Sequence, residues 1–242
     1  MKLIYIIITI ILLCYLYNFF MKDNFSEYLK DKNVVIVGPA DYVNNGKLID
    51  NFDVVVRINK GNNMIKNPLK YGSRTDILYH CVSQSYDSGG KIPEDENIKF
   101  IKFTLPNKKN IYGGGEKFNY DKIKMKNNML IVDDKKFTIF ENKIKTRPNS
   151  GTTAIWDLLN YDIKSLHIIG FTLFQTDYSK LYRDKVFGQS KNTGLAALNA
   201  MKKSGNHNQK NIANYYLKDV ITDKRVTYDK EFLDGIYKTL SN

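Results

Sequence analysis

Short runs of aliphatic, mostly β-branched residues recur along the chain almost without a polar break. The runs are residues 34–37, 54–56, 129–132 and 166–169. Such runs are typical of strands buried on both faces of a parallel sheet. Between and after them, residues 154–160 and 211–220 space their apolar side chains as a helix with one buried face does. The two patterns together predict a single α/β/α domain of Rossmann-like type.

Weaker patterns predict the remaining elements. Residues 98–105 alternate well enough for a further strand, and residues 223–229 and 232–240 indicate a strand and a closing helix. A helix is also predicted at 193–203, within a polar stretch. A chain of 242 residues is long enough for one good-sized α/β domain, which we expect to span 33–242.

The amino-terminal segment is apolar over residues 3–20, a length that reaches that of a transmembrane candidate. No small residues stand where a signal peptidase would cleave, which favours an uncleaved, single-pass anchor over a signal peptide. We therefore expect an anchor at 1–22 and a short polar stem at 23–32. The lysines flanking the span favour a cytosolic carboxyl domain under the positive-inside rule.

The composition is that of a folded and strongly basic protein. A hydrophobic content of 43% with 13% aromatic residues excludes a disordered chain. The formal net charge of +12 favours an anionic partner, although lysines that only solvate the surface would give the same total. Cys14 lies in the apolar segment and leaves Cys81 alone, so a disulfide framework in the globular part is excluded.

Two predicted strands carry polar or glycine residues where they end. Gly38 follows the first run, and the second run is followed by Arg57 and Asn59. Ligands of open α/β sheets bind at the carboxyl ends of strands, and glycine lets the backbone approach a ligand closely. This pattern predicts a nucleotide pocket. The alternative interpretation is two core strands with ordinary turns.

A second stretch combines a helix start with a strand end. Ser150 and Thr152 are good capping residues for the helix predicted after them, and Gly170 follows a buried run. A first helical turn that contains Ser, Gly and Thr exposes N–H groups that suit a phosphate. The alternative interpretation is an ordinary αβ unit with a well-capped helix.

Four pieces of the first stretch stand in a characteristic order: Val-Val-Ile-Val-Gly, Gly-x-x-Ile-Asp, Asp-x-Val-x-Arg-x-Asn and Gly-Ser-Arg-Thr, between Val34 and Thr75. This order resembles the large sialylmotif of the eukaryotic-type sialyltransferases, glycosyltransferase family 29. The loop, helix, strand and glycine from Pro148 to Phe171 resemble the small sialylmotif of the same family. His207, which opens a helix near the carboxyl end, is similar to the very short sialylmotif.

The resemblance implies a variant of the GT-A glycosyltransferase fold and a reaction that moves sialic acid from CMP-sialic acid to a sugar hydroxyl with inversion. It implies His207 as general base, since imidazole titrates near the working pH. We interpret His167, inside an apolar run, as structural, and give His80 a smaller claim to a site role than His207. The donor nucleotide-binding residues that the resemblance implies are Gly38, Pro39, Ala40, Asn59, Ser150, Gly151, Thr152, Gly170 and Phe171.

The chain departs from the family pattern at several positions. Pro39 stands where the family has an asparagine that helps to hold the nucleotide, and proline has no N–H to donate. Ile212 stands where a glutamate usually follows the histidine by five residues. The family's His-Tyr motif has no clear counterpart. Another CMP-activated acidic sugar therefore stays open as the donor.

The implied partners are a CMP-activated sugar donor and a glycan acceptor on a glycoprotein or glycolipid, with the membrane as a third partner through the anchor. Family members are type II proteins that face the Golgi lumen, so we expect the Golgi or another endomembrane. The lysines that flank the apolar segment instead favour a cytosolic carboxyl domain, so the orientation across the membrane stays open.

No metal or cofactor is expected, because no Asp-x-Asp triplet follows a predicted strand and we interpret the acidic residues 94–96 as a solvated loop. A different class of function is a non-catalytic nucleotide- or nucleic-acid-binding module with a basic face. Against nucleic acid, the sequence has no aromatic-basic motif of the RNA-binding type and no recognised DNA-binding element.

Overall fold

The computed structural model describes residues 24–84, 88–106, 120, 123–126, 128–183 and 207–242. Within them, seven parallel strands form one sheet. The strands are β1 (Asn33–Val37), β2 (Val54–Ile58), β3 (Ile77–His80), β4 (Phe100–Phe103), β5 (Met129–Ile131), β6 (Ser165–Ile169) and β7 (Val226–Tyr228). Their order across the sheet is β5-β4-β3-β2-β1-β6-β7.

The described helices lie before, between and after these strands. They are α1 (Asn24–Leu29), α2 (Gly46–Asp50), α3 (Pro68–Tyr71), α4 (Asp134–Ile144), α5 (Ser150–Leu159), α6 (Gln209–Tyr215) and α7 (Lys230–Ser241), with a 3-10 helix at Asn59–Lys66 and a π-helix at Tyr216–Val220. The segment predicted as one helix at 211–220 is thus α6 continued by the π-helix. The helix predicted at 193–203 lies outside the described residues.

Both faces of the sheet are covered, because alternate side chains of each central strand point to opposite layers. Val34 and Ile36 of β1 pack into a cluster with α1 and α4 to α7. Val35 and Val37 pack on the other face with α2, α3 and the 3-10 helix. This confirms the predicted α/β/α layers and the burial of β1 and β2 on both faces, whereas β5, at the edge of the sheet, is only partly buried.

The start of the described chain corrects one expectation. We expect residues 23–32 to form a polar stem, but Phe25 and Leu29 of α1 are buried. They belong to the same cluster as Val34 and Ile36, which we call the main core. This helix therefore packs as part of the domain, because two apolar residues four positions apart share one face. Among the described helices, none has the length and apolar character to cross a bilayer. The anchor expected at 1–22 lies outside the described residues.

A buried ion pair joins the sheet to α5. Lys102 of β4 places its Nζ 2.6 Å from Asp157 Oδ2, and both side chains are almost wholly buried. The hydroxyl of Tyr79 donates to the same Asp157 oxygen at 2.6 Å, and Lys102 Nζ also lies 2.6 Å from the Tyr161 hydroxyl. These contacts fix α5 against β3 and β4.

Candidate functional site

The sheet changes direction at β1. From β1 the chain proceeds outward through β2 to β5, and it then crosses back to β6 on the other side of β1. The loops that leave the carboxyl ends of β1 and β6 therefore diverge, and such a topological switch point is where open α/β sheets bind ligands. Val37 and Ile169 pair at the ends of the two strands, so Gly38 and Gly170 follow side by side.

These two glycines are in close contact. A Cβ added to Gly38 would lie 2.2 Å from the carbonyl oxygen of Gly170, and one added to Gly170 would lie 2.8 Å from that of Gly38. Gly170 also has a φ of 80°, a conformation that other residues rarely adopt. Only glycine fits either position without displacing the backbone.

The amino end of α5 lies at the same place. A Cβ on Gly151 would lie 2.6 Å from Cε1 of Phe171, and the same ring comes within 2.8 Å of a Cβ placed on Gly38. We call Gly38, Gly151, Gly170 and Phe171 the glycine cluster. The first N–H groups of a helix have no partner within it and carry partial positive charge, so the cluster brings an anion-binding element to the switch point.

The cap of α5 differs from the prediction. Asn149, not Ser150 or Thr152, is the N-cap residue, and its Oδ1 accepts from the Thr152 N–H at 2.9 Å. The Thr152 hydroxyl is fully buried, 3.1 Å from the same oxygen and 2.8 Å from the Tyr216 hydroxyl. Thr152 thus has a structural role in the capped first turn, because its N–H and its hydroxyl both have partners inside the protein. Ser150 Oγ lies 3.5 Å from the Thr104 hydroxyl, just beyond β4.

A carboxylate that sequence reasoning missed holds Gly170 in place. Asp229 Oδ2 accepts from the Gly170 N–H at 2.9 Å and from the Tyr42 hydroxyl at 2.5 Å, and its Oδ1 caps α7 at Phe232. Burial raises the pKa of Asp229, and its hydrogen bonds oppose that rise. The Tyr42 hydroxyl and the Asp229 carboxylate are thus paired beside the Gly170 backbone. In the sequence, Asp229 ends the strand predicted at 223–229 and stands three positions before the predicted closing helix, and the structure makes it the N-cap of a helix that begins at Lys230.

Pro39 and Ala40 join the loop after β1 to the loop after β6. The Pro39 carbonyl accepts from the Ser179 N–H at 2.8 Å, and the Ala40 N–H donates to the Gly170 carbonyl at 3.3 Å. Ala40 also forms an isolated antiparallel bridge with Tyr178. Both predicted residues therefore lie beside the glycine cluster through backbone contacts.

Asn59 lies one strand away, at the end of β2. It has a φ of 49°, and its Oδ1 accepts from the Cys81 N–H at 2.9 Å, which ties β2 to the end of β3. Burial raises the pKa of the Tyr182 phenol, and the Arg183 charge and a hydrogen bond from Asn59 oppose that rise. The Asn59 amide thus organises the loops over β2 and β3.

Four residues with strained backbone lie at the carboxyl ends of the strands. Asn59, Val82, Leu173 and Phe174 all have positive φ, and they lie in the loops after β2, β3 and β6. Such conformations cost free energy in residues other than glycine and tend to occur at functional sites. Their location agrees with a site at the carboxyl edge.

His207 lies beside the segment that leads into α5. Its Nδ1 is 2.8 Å from the carbonyl oxygen of Arg147, two residues before the Asn149 cap. A carbonyl can only accept, so Nδ1 carries the hydrogen and Nε2 keeps a lone pair. Burial lowers the pKa of His207 to about 4, the Arg147 carbonyl opposes the shift, and the Arg147 charge adds to it. Ile212 is fully buried in the main core, so no carboxylate partner comes from that position.

The other two histidines have structural contacts. His80 is fully buried, with Nε2 3.0 Å from the Gly90 carbonyl oxygen and Nδ1 accepting from the Val82 N–H at 3.1 Å. Burial lowers the pKa of His80 to about 4. His167, on β6, has its Nδ1 2.9 Å from the Thr227 hydroxyl and stacks on Phe52, in agreement with its structural interpretation.

An open cleft of about 550 Å³ lies over the carboxyl ends of β2 and β3. Its walls come from the 3-10 helix after β2, the loop after β3 and the loop after β6, and Asn59 is part of them. Lys60, Lys91, Lys180 and Arg183 line it. We call this space the basic cleft.

The described part of the chain contains no group of three His, Cys, Asp or Glu residues placed to hold a metal ion. In the acidic segment 94–96, the Asp95 carboxylate accepts from Asn62 Nδ2 at 3.4 Å and from the Asn97 N–H at 3.0 Å. Metal independence stays a prediction.

No model of a known protein family matches this chain, and no curated protein matches it. Distant likenesses to solved structures exist. A mammalian sialyltransferase in complex with Gal-β-1,3-GalNAc-ortho-nitrophenol is 14% identical with a TM-score of 0.49, and the match covers 85% of this chain and 72% of that one. The sialyltransferase CstII from Campylobacter jejuni with the substrate analogue CMP-3FNeuAc is 17% identical, with a TM-score of 0.40 and coverage of 87% and 79%. A CstII variant with CMP is 20% identical, with a TM-score of 0.37 and coverage of 72% and 78%. Likenesses at this level assign no activity to this chain.

Proposed function

We propose that this protein is a glycosyltransferase that transfers sialic acid, or a related acidic sugar, from a CMP-activated donor to a glycan hydroxyl with inversion. One observation carries the proposal. The two stretches that resemble sialylmotifs are distant in sequence, yet their glycines meet in the glycine cluster at the switch point. A chance resemblance would not require Gly38 and Gly170 to be in mutual contact, or Gly151 to lie against the same phenylalanine ring.

The amino end of α5 suits the phosphate of CMP. The ten-residue helix begins beside the glycine cluster, and the N–H groups of its first turn carry partial positive charge that favours an anion. The absence of a side chain at Gly151 makes room for the Phe171 ring at this helix start, and the Ser150 hydroxyl is a further donor beside the N–H groups. The formal charge of +12 attracts an anionic donor of this kind.

His207 is the proposed general base because its Nε2 keeps a lone pair, and the burial that lowers its pKa to about 4 makes it a weaker base than an ordinary imidazole. Nε2 takes the proton of the acceptor hydroxyl while that oxygen forms its bond to the anomeric carbon. The bond between the anomeric carbon and the phosphate oxygen breaks, and its electron pair leaves with CMP. Attack on the face opposite to the leaving group inverts the anomeric centre. The Arg147 carbonyl accepts from Nδ1 before and after the transfer, so it supports the tautomer that the reaction needs.

The proposal is tested by measuring the affinity of the purified full chain for the monophosphates of cytidine, uridine, adenosine and guanosine by calorimetry. We expect CMP to bind most tightly. Gly151→Ala should weaken CMP binding at least about tenfold, because the new methyl group would displace the Phe171 ring.

The matched control is Gly72→Ala. Gly72 is likewise tightly packed, with a φ of 78°, but it lies before β3, at the amino ends of the strands. This variant should lose stability and keep its affinity for CMP. Equal affinity for all four nucleotides, or equal loss of CMP binding in both variants, would contradict the assignment.

A further inference from the structure

The Gly170 peptide is held by groups from two other segments of the chain. Its N–H lies 2.9 Å from Asp229 Oδ2 and 3.0 Å from the Tyr42 hydroxyl oxygen, so the two oxygens share its hydrogen. Its carbonyl oxygen accepts from the Ala40 N–H at 3.3 Å. Ala40 and Tyr42 lie in the loop after β1, whereas Asp229 lies between β7 and α7. The loop after β1 is therefore fastened to Gly170 at two points.

The Asp229 carboxylate does more than cap a helix. Its Oδ1 accepts from the Phe232 N–H at 2.9 Å, which is the ordinary bond of an N-cap residue. Its Oδ2 accepts from the Tyr42 O–H at 2.5 Å and from the Gly170 N–H, and neither donor belongs to α7. A cap alone needs only the first bond. The second oxygen joins the start of α7 to the end of β6 and to the loop after β1.

Gly170 and Gly38 cannot move independently. The Gly38 N–H donates to the Ile169 carbonyl at 2.7 Å, and a Cβ added to either glycine would overlap the backbone of the other. Closely packed backbone transmits a displacement, because the interior has no free space to absorb it. A change in the bonds of the Gly170 N–H therefore reaches Gly38 and the rest of the glycine cluster.

We propose that Tyr42 and Asp229 are positioning residues of the donor site. Together they hold the Gly170 peptide, and through it Gly38, in the geometry that binds the donor nucleotide. The inference rests on the proposed function, which places that nucleotide at the glycine cluster. The role needs no contact between either side chain and the donor. A loop that is already fixed binds a ligand more tightly than one that must first be ordered.

The first test is the Tyr42→Phe variant of the full chain, which loses one hydroxyl and keeps the ring. CMP affinity is measured by calorimetry, and stability by urea unfolding. We expect CMP to bind about fivefold more weakly, the scale of one lost hydrogen bond. The Michaelis constant for the CMP-sugar should rise by a similar factor, while the turnover number and the Michaelis constant for the acceptor stay close to those of the parent chain.

The second variant is Asp229→Asn, which keeps the size of the side chain but has one acceptor oxygen. Because Asp229 accepts at both oxygens, the NH₂ group of the asparagine must face either the Phe232 or the Gly170 N–H. We expect CMP binding at least about tenfold weaker. Tyr42→Phe/Asp229→Asn should bind CMP about as weakly as Asp229→Asn alone, since both changes act through Gly170.

The matched control is Tyr79→Phe. The Tyr79 hydroxyl donates to Asp157 Oδ2 at 2.6 Å, so this variant also removes a hydroxyl from a short Tyr–Asp hydrogen bond. Asp157 lies in the second half of α5 and is not part of the glycine cluster. The control should lose stability and keep its affinity for CMP.

Unchanged CMP affinity in Tyr42→Phe, or losses of equal size in Tyr42→Phe and Tyr79→Phe, would overturn the inference, because the pair would then contribute to stability alone. Additive losses in the double variant would also overturn it, because the two residues would then act separately. A parent chain without a preference for CMP would instead refute the proposed function. The two failures are distinguishable, since the nucleotide preference is measured on the parent chain.

Discussion

The environment of His207 predicts how transfer activity changes as the pH is lowered. Burial lowers its pKa to about 4, against an ordinary value of 6.5. A general base must be neutral to accept a proton. At pH 5.5 a group of pKa 4 is roughly 97% neutral, whereas an imidazole of ordinary pKa is roughly 9% neutral. The account therefore predicts nearly full activity at pH 5.5, and a decline only as the pH approaches 4.

The assay is kcat/KM for transfer from pH 4.5 to 8, since that profile reports the pKa values of the free enzyme, to which the lowered pKa of His207 belongs. Circular dichroism at each pH verifies that the chain is folded. His207→Ala should lower transfer by roughly 10²- to 10⁴-fold with unchanged CMP affinity. An acid limb centred near pH 6.5 in folded protein would refute the proposed environment. Full activity of His207→Ala would refute the role itself.

Three further predictions concern stability and cofactors. Because the folded pKa of His80, about 4, is below the unfolded value of 6.5, its contribution to stability is constant above pH 6.5 and is lost as the pH falls towards 4. Between pH 7.5 and 4.5 the free energy of unfolding in urea should fall by about 2.5 kcal/mol more in the parent chain than in His80→Asn, and equal losses would contradict this. Lys102→Met should lower the free energy of unfolding in urea by about 3 kcal/mol or more, because it leaves Asp157 buried without its cation. Adding Asp157→Leu should recover part of that loss. A double variant less stable than Lys102→Met alone would contradict this prediction. Transfer activity should survive a chelator, and activity lost to the chelator and restored by manganese would show a metal requirement.

The sequence identified the central elements because their signal is local. β1, β2 and β6 are apolar runs buried on both faces, and α5 begins within a cluster of capping residues. The members of the glycine cluster could also be named beforehand, since each glycine stands at a strand end or helix start. Their mutual contact could not, because it depends on the strand order.

The features that sequence reasoning missed depend on distant partners. Tyr42 and Asp229 meet although 187 positions separate them, and no local pattern pairs them. The basic cleft forms because the topology brings loops after β2, β3 and β6 together. The cap of α5 was missed by one position, because Asn149, Ser150 and Thr152 are all good capping residues and only the local geometry selects among them.

The most direct test of the central claim is a transfer experiment followed by NMR. The full chain is incubated with ¹³C-labelled CMP-sialic acid and a mixture of neutral and charged glycan acceptors, with UDP- and GDP-sugars as competing donors. The account predicts that CMP appears in step with a sialylated glycan whose anomeric configuration is inverted relative to the donor, and that His207→Ala forms it far more slowly. Consumption of a UDP- or GDP-sugar while the CMP-sugar stays intact, or a product of retained configuration, would contradict the account.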